Sequence, residues 1–102
     1  MSILVVDVGT SGVRAAIVRP DATVEHVHHR EVLPSSPAPG FVEFDAREMA
    51  DAALDAANAA LAEGGPVDAV GIANQRASTI VWDATTGEPV GPTTWGSAGG
   101  VC

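Results

Sequence analysis

The stretch ILVVDVGTSGVRAAIV, residues 3–18, sets two apolar runs rich in β-branched residues on either side of Gly9, Thr10, Ser11 and Gly12. Val and Ile fit a pleated, half-buried surface, and a short Gly/Thr/Ser segment between such runs is a turn signal. ILVV at 3–6 and VRAAIV at 13–18 therefore predict two strands joined through 7–12, with Asp7 leaving the first strand at the edge of the turn.

The rest of the chain must build on that pair. PDAT at 20–23 predicts a turn, and VEHVHHREV at 24–32 a third, partly exposed strand, which completes an antiparallel meander. LPSSPAPGF at 33–41 holds three prolines and a glycine and predicts a surface loop. Asp45 followed by Glu48 is a capping-box spacing that opens a helix. Ala50, Leu54, Ala57 and Leu61 form its expected core-facing stripe, and Gly64, Gly65 and Pro66 end it. VDAVGIANQR at 67–76 predicts a buried strand that, reached through a helix, lies parallel to an earlier one. STIVWDATTGEPV at 78–90 has a turn signal at 84–87 and predicts a hairpin. The order β-β-β-α-β plus a hairpin places the chain in the α/β class with a mixed sheet.

With 102 residues the chain has room for one compact domain. Thirteen acidic residues against five basic ones, every one of them Arg, give a net charge of −8, which argues against nucleic acid or an anionic membrane as the main partner. Phosphate, if bound, must be held by backbone amides, by Arg14 or Arg76, or through a metal. Cys102 is the one cysteine, so no internal disulfide is expected. No apolar run approaches the roughly 18 residues of a membrane helix, and residues 1–19 lack a basic leader, so the expected location is cytoplasmic.

The Gly9–Gly12 turn has two readings. In one, its glycines allow close approach of an anion, Thr10 and Ser11 add neutral donors, and Asp7 holds a divalent ion that offsets the charge of a polyphosphate. In the other it is an ordinary hairpin turn in which Gly, Thr and Ser serve conformation alone. Spacing alone leaves both open. A lysine-bearing P-loop is excluded, because the chain contains no Lys.

DVGTSGVRAAIV, PGFVEFD, GIANQRASTIVWD and TGEPVGPTTW stand in an order and at a spacing that resembles the N-terminal domain of the FGGY carbohydrate kinases, their glycerol kinase-like members above all. The likeness covers residues 3 to about 95. It implies a ribonuclease H-like (actin-like ATPase) lobe, here incomplete, with residues 1–95 forming the lobe and 96–102 a divergent Gly-rich tail. It further implies ATP and Mg2+ as cofactors and a sugar or polyol as substrate. By this resemblance Asp7 belongs to the metal, Thr10, Ser11, Gly12 and Arg14 to the nucleotide phosphates, and Arg76 to the substrate hydroxyls. Ala77 stands where glycerol kinases carry a glutamate that also holds the polyol, which speaks against glycerol itself. The family's catalytic base lies beyond residue 102, so the chain alone is expected not to turn over.

The alternative from another class is a non-catalytic module of the same fold that binds a ligand or partner. A ribonuclease-type activity is a third, weaker reading, since only Asp7 of the several carboxylates it needs is well placed. His26, His28 and His29 read as an exposed polar strand edge rather than a zinc site. Trp82 and Trp95 read as core or cleft-wall residues, whereas Asn74 and Gln75 end a strand where ligands bind in α/β sheets. A lobe whose apolar surface is uncovered is expected to self-associate.

Overall fold

The computed structural model describes residues 1–36, 39, 42–75, 78–91 and 93–95. Strands β1 (Ile3–Val8), β2 (Gly12–Val18) and β3 (Val24–Glu31) form the expected antiparallel meander, and β5 (Ala69–Asn74) lies parallel to β1. The strand order is β3-β2-β1-β5. Helix α1 (Ala46–Gly64) packs on one face of this sheet, chiefly over β2 and β3.

Period-two alternation sorts the strands into two faces. Leu4 and Val6 of β1 and Val13, Ala15 and Ile17 of β2 are buried toward the helix, where they meet Met49, Ala56 and Ala60. Val32 and Phe44, both fully buried, belong to the same core. Asp7 and Arg14 fall on the opposite face. On β3, Arg30 turns to the helix and pairs with Asp55, while His29 and Glu31 are exposed.

Four expectations are corrected. First, β1 runs through Val8, so Asp7 sits inside the strand rather than after it. Second, the buried side of α1 centres on Met49, Ala56 and Ala60, flanked by Ala52, Ala53, Ala57 and Leu61, while Ala50 and Leu54 face solvent, Leu54 at 63% exposure. Alanines occur all round this helix, so their pattern alone does not single out one face, and contact with the sheet decides which side is buried. Third, β5 is not buried: Val70 and Ile72 are 59% and 73% exposed, because β5 is the sheet edge and α1 lies mainly over the other strands. Fourth, His26 and His28 lie on the edge strand β3 but are half-buried rather than exposed; they face α1, and one ring nitrogen of each meets Glu63 Oε1, at 3.3 and 2.8 Å. His26 has positive φ, next to the register shift between Ala15 and Ile17, and still reaches Glu63.

The helix begins as its punctuation predicts. The Asp45 carboxylate accepts from the amides of Arg47 and Glu48, which satisfies two of the orphan donors of the first turn. Glu48 makes no reciprocal bond among the described residues, so this is a simple cap rather than a box. Gly65, at φ 78°, closes the other end through its amide to the Leu61 carbonyl.

The expected hairpin is present. The Val90 amide bonds to the Val81 carbonyl, Trp82 bridges Pro89, and Asp83 accepts from Thr85 and Thr86 at the turn. Beside it lies a small sheet that the sequence did not announce: β4 (Glu43–Phe44), β7 (Thr93–Trp95) and β6 (Ser78–Thr79), in the order β4-β7-β6. No helix among the described residues is long and apolar enough to cross a membrane.

Candidate anion site at the carboxyl ends of β1 and β5

The parallel pairing of β1 with β5 brings together two motifs some 65 residues apart. Val8 is in register with Asn74, so the turn after β1 and the segment after β5 leave the sheet at the same end. Carboxyl ends of parallel strands are where open α/β sheets place ligands. Asn74 is exposed there, and Gln75 is half-buried, its side-chain oxygen buried and without a partner among the described residues. Arg76 and Ala77 follow directly and lie outside the described residues, as does the tail 96–102.

On the β1–β2 side the turn is tight. The Gly9 amide bonds to the Gly12 carbonyl at 2.9 Å, and the Ser11 carbonyl accepts from Val32 at 3.1 Å. The Gly9 amide is thereby spent inside the turn and is not open to an anion. Thr10 and Ser11 are exposed at the tip, and among the described residues neither their amides nor their hydroxyls are engaged in a hydrogen bond. Gly12 has its own packing reason to be glycine. A Cβ there would run into the Arg30 carbonyl oxygen and come within 2.7 Å of His29 Nε2. Its φ is not in the left-handed region, so close approach of β3 rather than turn conformation excludes a side chain.

Beside the turn, the register sets Asp7 opposite Arg14 and Arg14 opposite His29, a row across β1, β2 and β3 on the face away from the helix. Directly opposed residues on one face of a sheet have Cβ atoms roughly 4.5–5.5 Å apart. All three side chains are exposed, and among the described residues none takes an ion pair or hydrogen bond. The other described arginines are committed: Arg19 to Glu25, Arg30 to Asp55 and Arg47 to Glu88. Arg14 is therefore the one described guanidinium left for an external anion. Sequence reasoning named Asp7 and Arg14 and missed His29, whose place in the row depends on the β2–β3 register.

Three cavities lined by described residues lie elsewhere. The two larger, about 510 and 360 Å³, sit between the start of α1 and the hairpin, lined by Arg47 and Pro89 in both and by Trp82 in the smaller. None of the three touches residues 7–14. The side chains of the row are exposed.

Residues 2–98 match the FGGY family of carbohydrate kinases, N-terminal domain. The chain belongs to that family. It is 39% identical over 92 residues to a glycerol kinase of Methylobacterium nodulans and 40% identical over 92 residues to one of Trichlorobacter lovleyi. In each case the match takes in 86% of this chain and 18% of the relative. Among solved structures, a xylulose kinase from Brucella ovis superposes with a TM-score of 0.83 at 26% identity, covering 92% of this chain and 20% of that one. The Plasmodium falciparum glycerol kinase with ADP superposes with a TM-score of 0.79 at 21% identity, covering 91% and 20%, and shares the fold. The FGGY chain thus spans about one fifth of the length of the relatives it matches, and its mixed sheet with one helix is part of their actin-like N-terminal lobe.

Proposed function

We propose that this chain is the N-terminal part of an ATP-dependent kinase that transfers a phosphoryl group to a hydroxyl of a sugar or polyol. The observation that carries the reading is the uncommitted Asp7–Arg14 pair beside the exposed turn, in a chain where every other described arginine is tied to a carboxylate. Arg14 supplies a fixed positive fork for phosphate oxygens, and the hydroxyls of Thr10 and Ser11 supply neutral donors. Gly12 keeps β2 and β3 close enough for that surface to form. The exposed carboxylate of Asp7 is a hard oxygen donor of the kind Mg2+ takes, directly or through water. When bound, the metal would neutralise charge on the phosphates. Arg76 is assigned to the substrate hydroxyls, and Ala77, which has no acceptor, favours a substrate other than glycerol.

In this reading residues 1–95 are the lobe and 96–102 a divergent tail, the protein works in the cytoplasm, and neither nucleic acid nor membrane is its partner. Phosphoryl transfer needs nucleotide, metal, acceptor and base held together. The 102-residue chain offers part of that set, so it is expected to bind MgATP without turning over. Calorimetric titration of MgATP into the chain tests this: saturable heat that is lost in Asp7→Ala supports it, and no heat with the wild type refutes it.

A second reading, a non-catalytic module that binds a partner, is favoured by the exposed apolar side chains of β5 and the hairpin, Val70, Ile72, Val81, Trp82 and Val90. Self-association through that surface is its simplest form. Sedimentation that finds only monomer at high concentration counts against it.

A further inference from the structure

The three histidines do different things. His26 and His28 both turn to Glu63 on the helix, whereas the His29 ring lies over Gly12 on the other face, with no partner among the described residues. We propose that His29 is a phosphate-binding residue, a donor that works beside Arg14 at the β1–β2 turn. The inference rests on the reading of that turn as an anion site.

The placement supplies the argument. Arg14 stands in the middle of the row, with Asp7 on one side and His29 on the other. On the Asp7 side a phosphate oxygen faces a carboxylate and needs a cation between them. On the His29 side it faces an imidazole, which donates an N–H in its neutral form as well as in its charged one. A polyphosphate lying across the row therefore meets donors from Arg14 and His29 at one end and a metal-binding carboxylate at the other. Glu31, exposed on β3 and in register with Gly12, places a carboxylate on the His29 side of the row, and it limits how far an anion extends past the ring. Gly12 fits the same picture. Its missing Cβ leaves the space in which the His29 Nε2 edge lies, 2.7 Å from where that carbon would be, so the ring edge lies beside the turn.

The test uses the 102-residue chain and inorganic triphosphate with Mg2+ as probe. In proton NMR the ring resonances of His29 are expected to move on titration, while those of His26 and His28, on the opposite face, stay in place. His29→Ala is expected to weaken triphosphate binding about tenfold, as loss of a hydrogen bond to a charged group does, and His29→Asn, which keeps a side-chain N–H, to recover part of it. Equal thermal melting of the wild type and both variants separates this from a folding effect, and the exposed ring makes that outcome the expected one. If Arg14→Ala abolishes binding while His29→Ala leaves affinity unchanged and the wild-type His29 ring resonances stay in place on titration, the inference about His29 is wrong and the anion site stands. If the wild type binds no triphosphate, the site reading itself falls and takes this inference with it.

Discussion

Replacing Gly12 with alanine isolates the packing that holds the site together. The new Cβ meets the Arg30 carbonyl oxygen, a backbone atom, and the His29 ring edge at 2.7 Å. The ring can swing away, but the carbonyl moves only if β3 moves. That strand is tied to α1 by Arg30 to Asp55 and by His26 and His28 to Glu63, so it retreats only by loosening those contacts. Overpacking of this kind costs about 1–3 kcal/mol. Against it stands the gain of about 0.4–1 kcal/mol that Gly→Ala brings by restricting the unfolded chain at a compatible φ. The net expectation is a loss of about 1–2 kcal/mol, which in a domain of this size lowers the melting temperature by roughly 5–15 °C. Gly71→Ala is the control: nothing lies within 4 Å of its Cβ and its φ is not left-handed, so the variant should be as stable as the wild type or slightly more so. Urea denaturation of both variants decides. If Gly12→Ala matches or exceeds the wild type, the claim that β3 presses on this turn is refuted.

Three other outcomes follow from the packing and the charges. Phe44→Ala, at a fully buried ring, should cost about 3–5 kcal/mol in urea denaturation. Leu54→Asp should change stability by less than about 0.5 kcal/mol, because Leu54 faces solvent; a loss of several kcal/mol would restore the helix face expected from the sequence. The hydrogen bond from His28, then its charge and His26, hold the Glu63 carboxyl below the ordinary value of 4.5. A carboxylate with a depressed folded pKa adds stability that is present above its unfolded value and lost as pH falls through the folded one. Glu63→Gln should therefore flatten the decline in stability below pH 4.5, and an unchanged acid limb in pH-dependent melting would show that the contact contributes nothing.

Local chemistry was legible in the sequence where short-range signals agree. The β-branched runs around Gly9–Gly12 give the first hairpin, Asp45 gives the helix start, Gly65 its end, and a strand after a helix gives the parallel pairing of β5 with β1. What was missed depends on partners far along the chain. Nothing near Glu63 announces two histidines 35 and 37 residues earlier, and two-residue strands such as β4 and β6 are joined into a sheet by β7. The side α1 buries was misread because alanine fits several sides of the helix, so contact with the sheet decides. An apolar strand such as β5 reads as buried whether or not anything covers it, and here its outer edge is open. Of the site, Asp7 and Arg14 were legible as residues, but that they face each other, and that His29 joins them, required the register.

The central claim is that the exposed face around residues 7–14 receives an anionic polyphosphate, and backbone amide NMR during titration with MgADP measures it most directly. The account predicts saturable shifts concentrated at Thr10, Ser11, Gly12 and Arg14, against the repulsion that a net charge of −8 imposes. Shifts absent from those amides, or centred instead on Arg47, Trp82 and Glu88 around the two larger cavities, would contradict it.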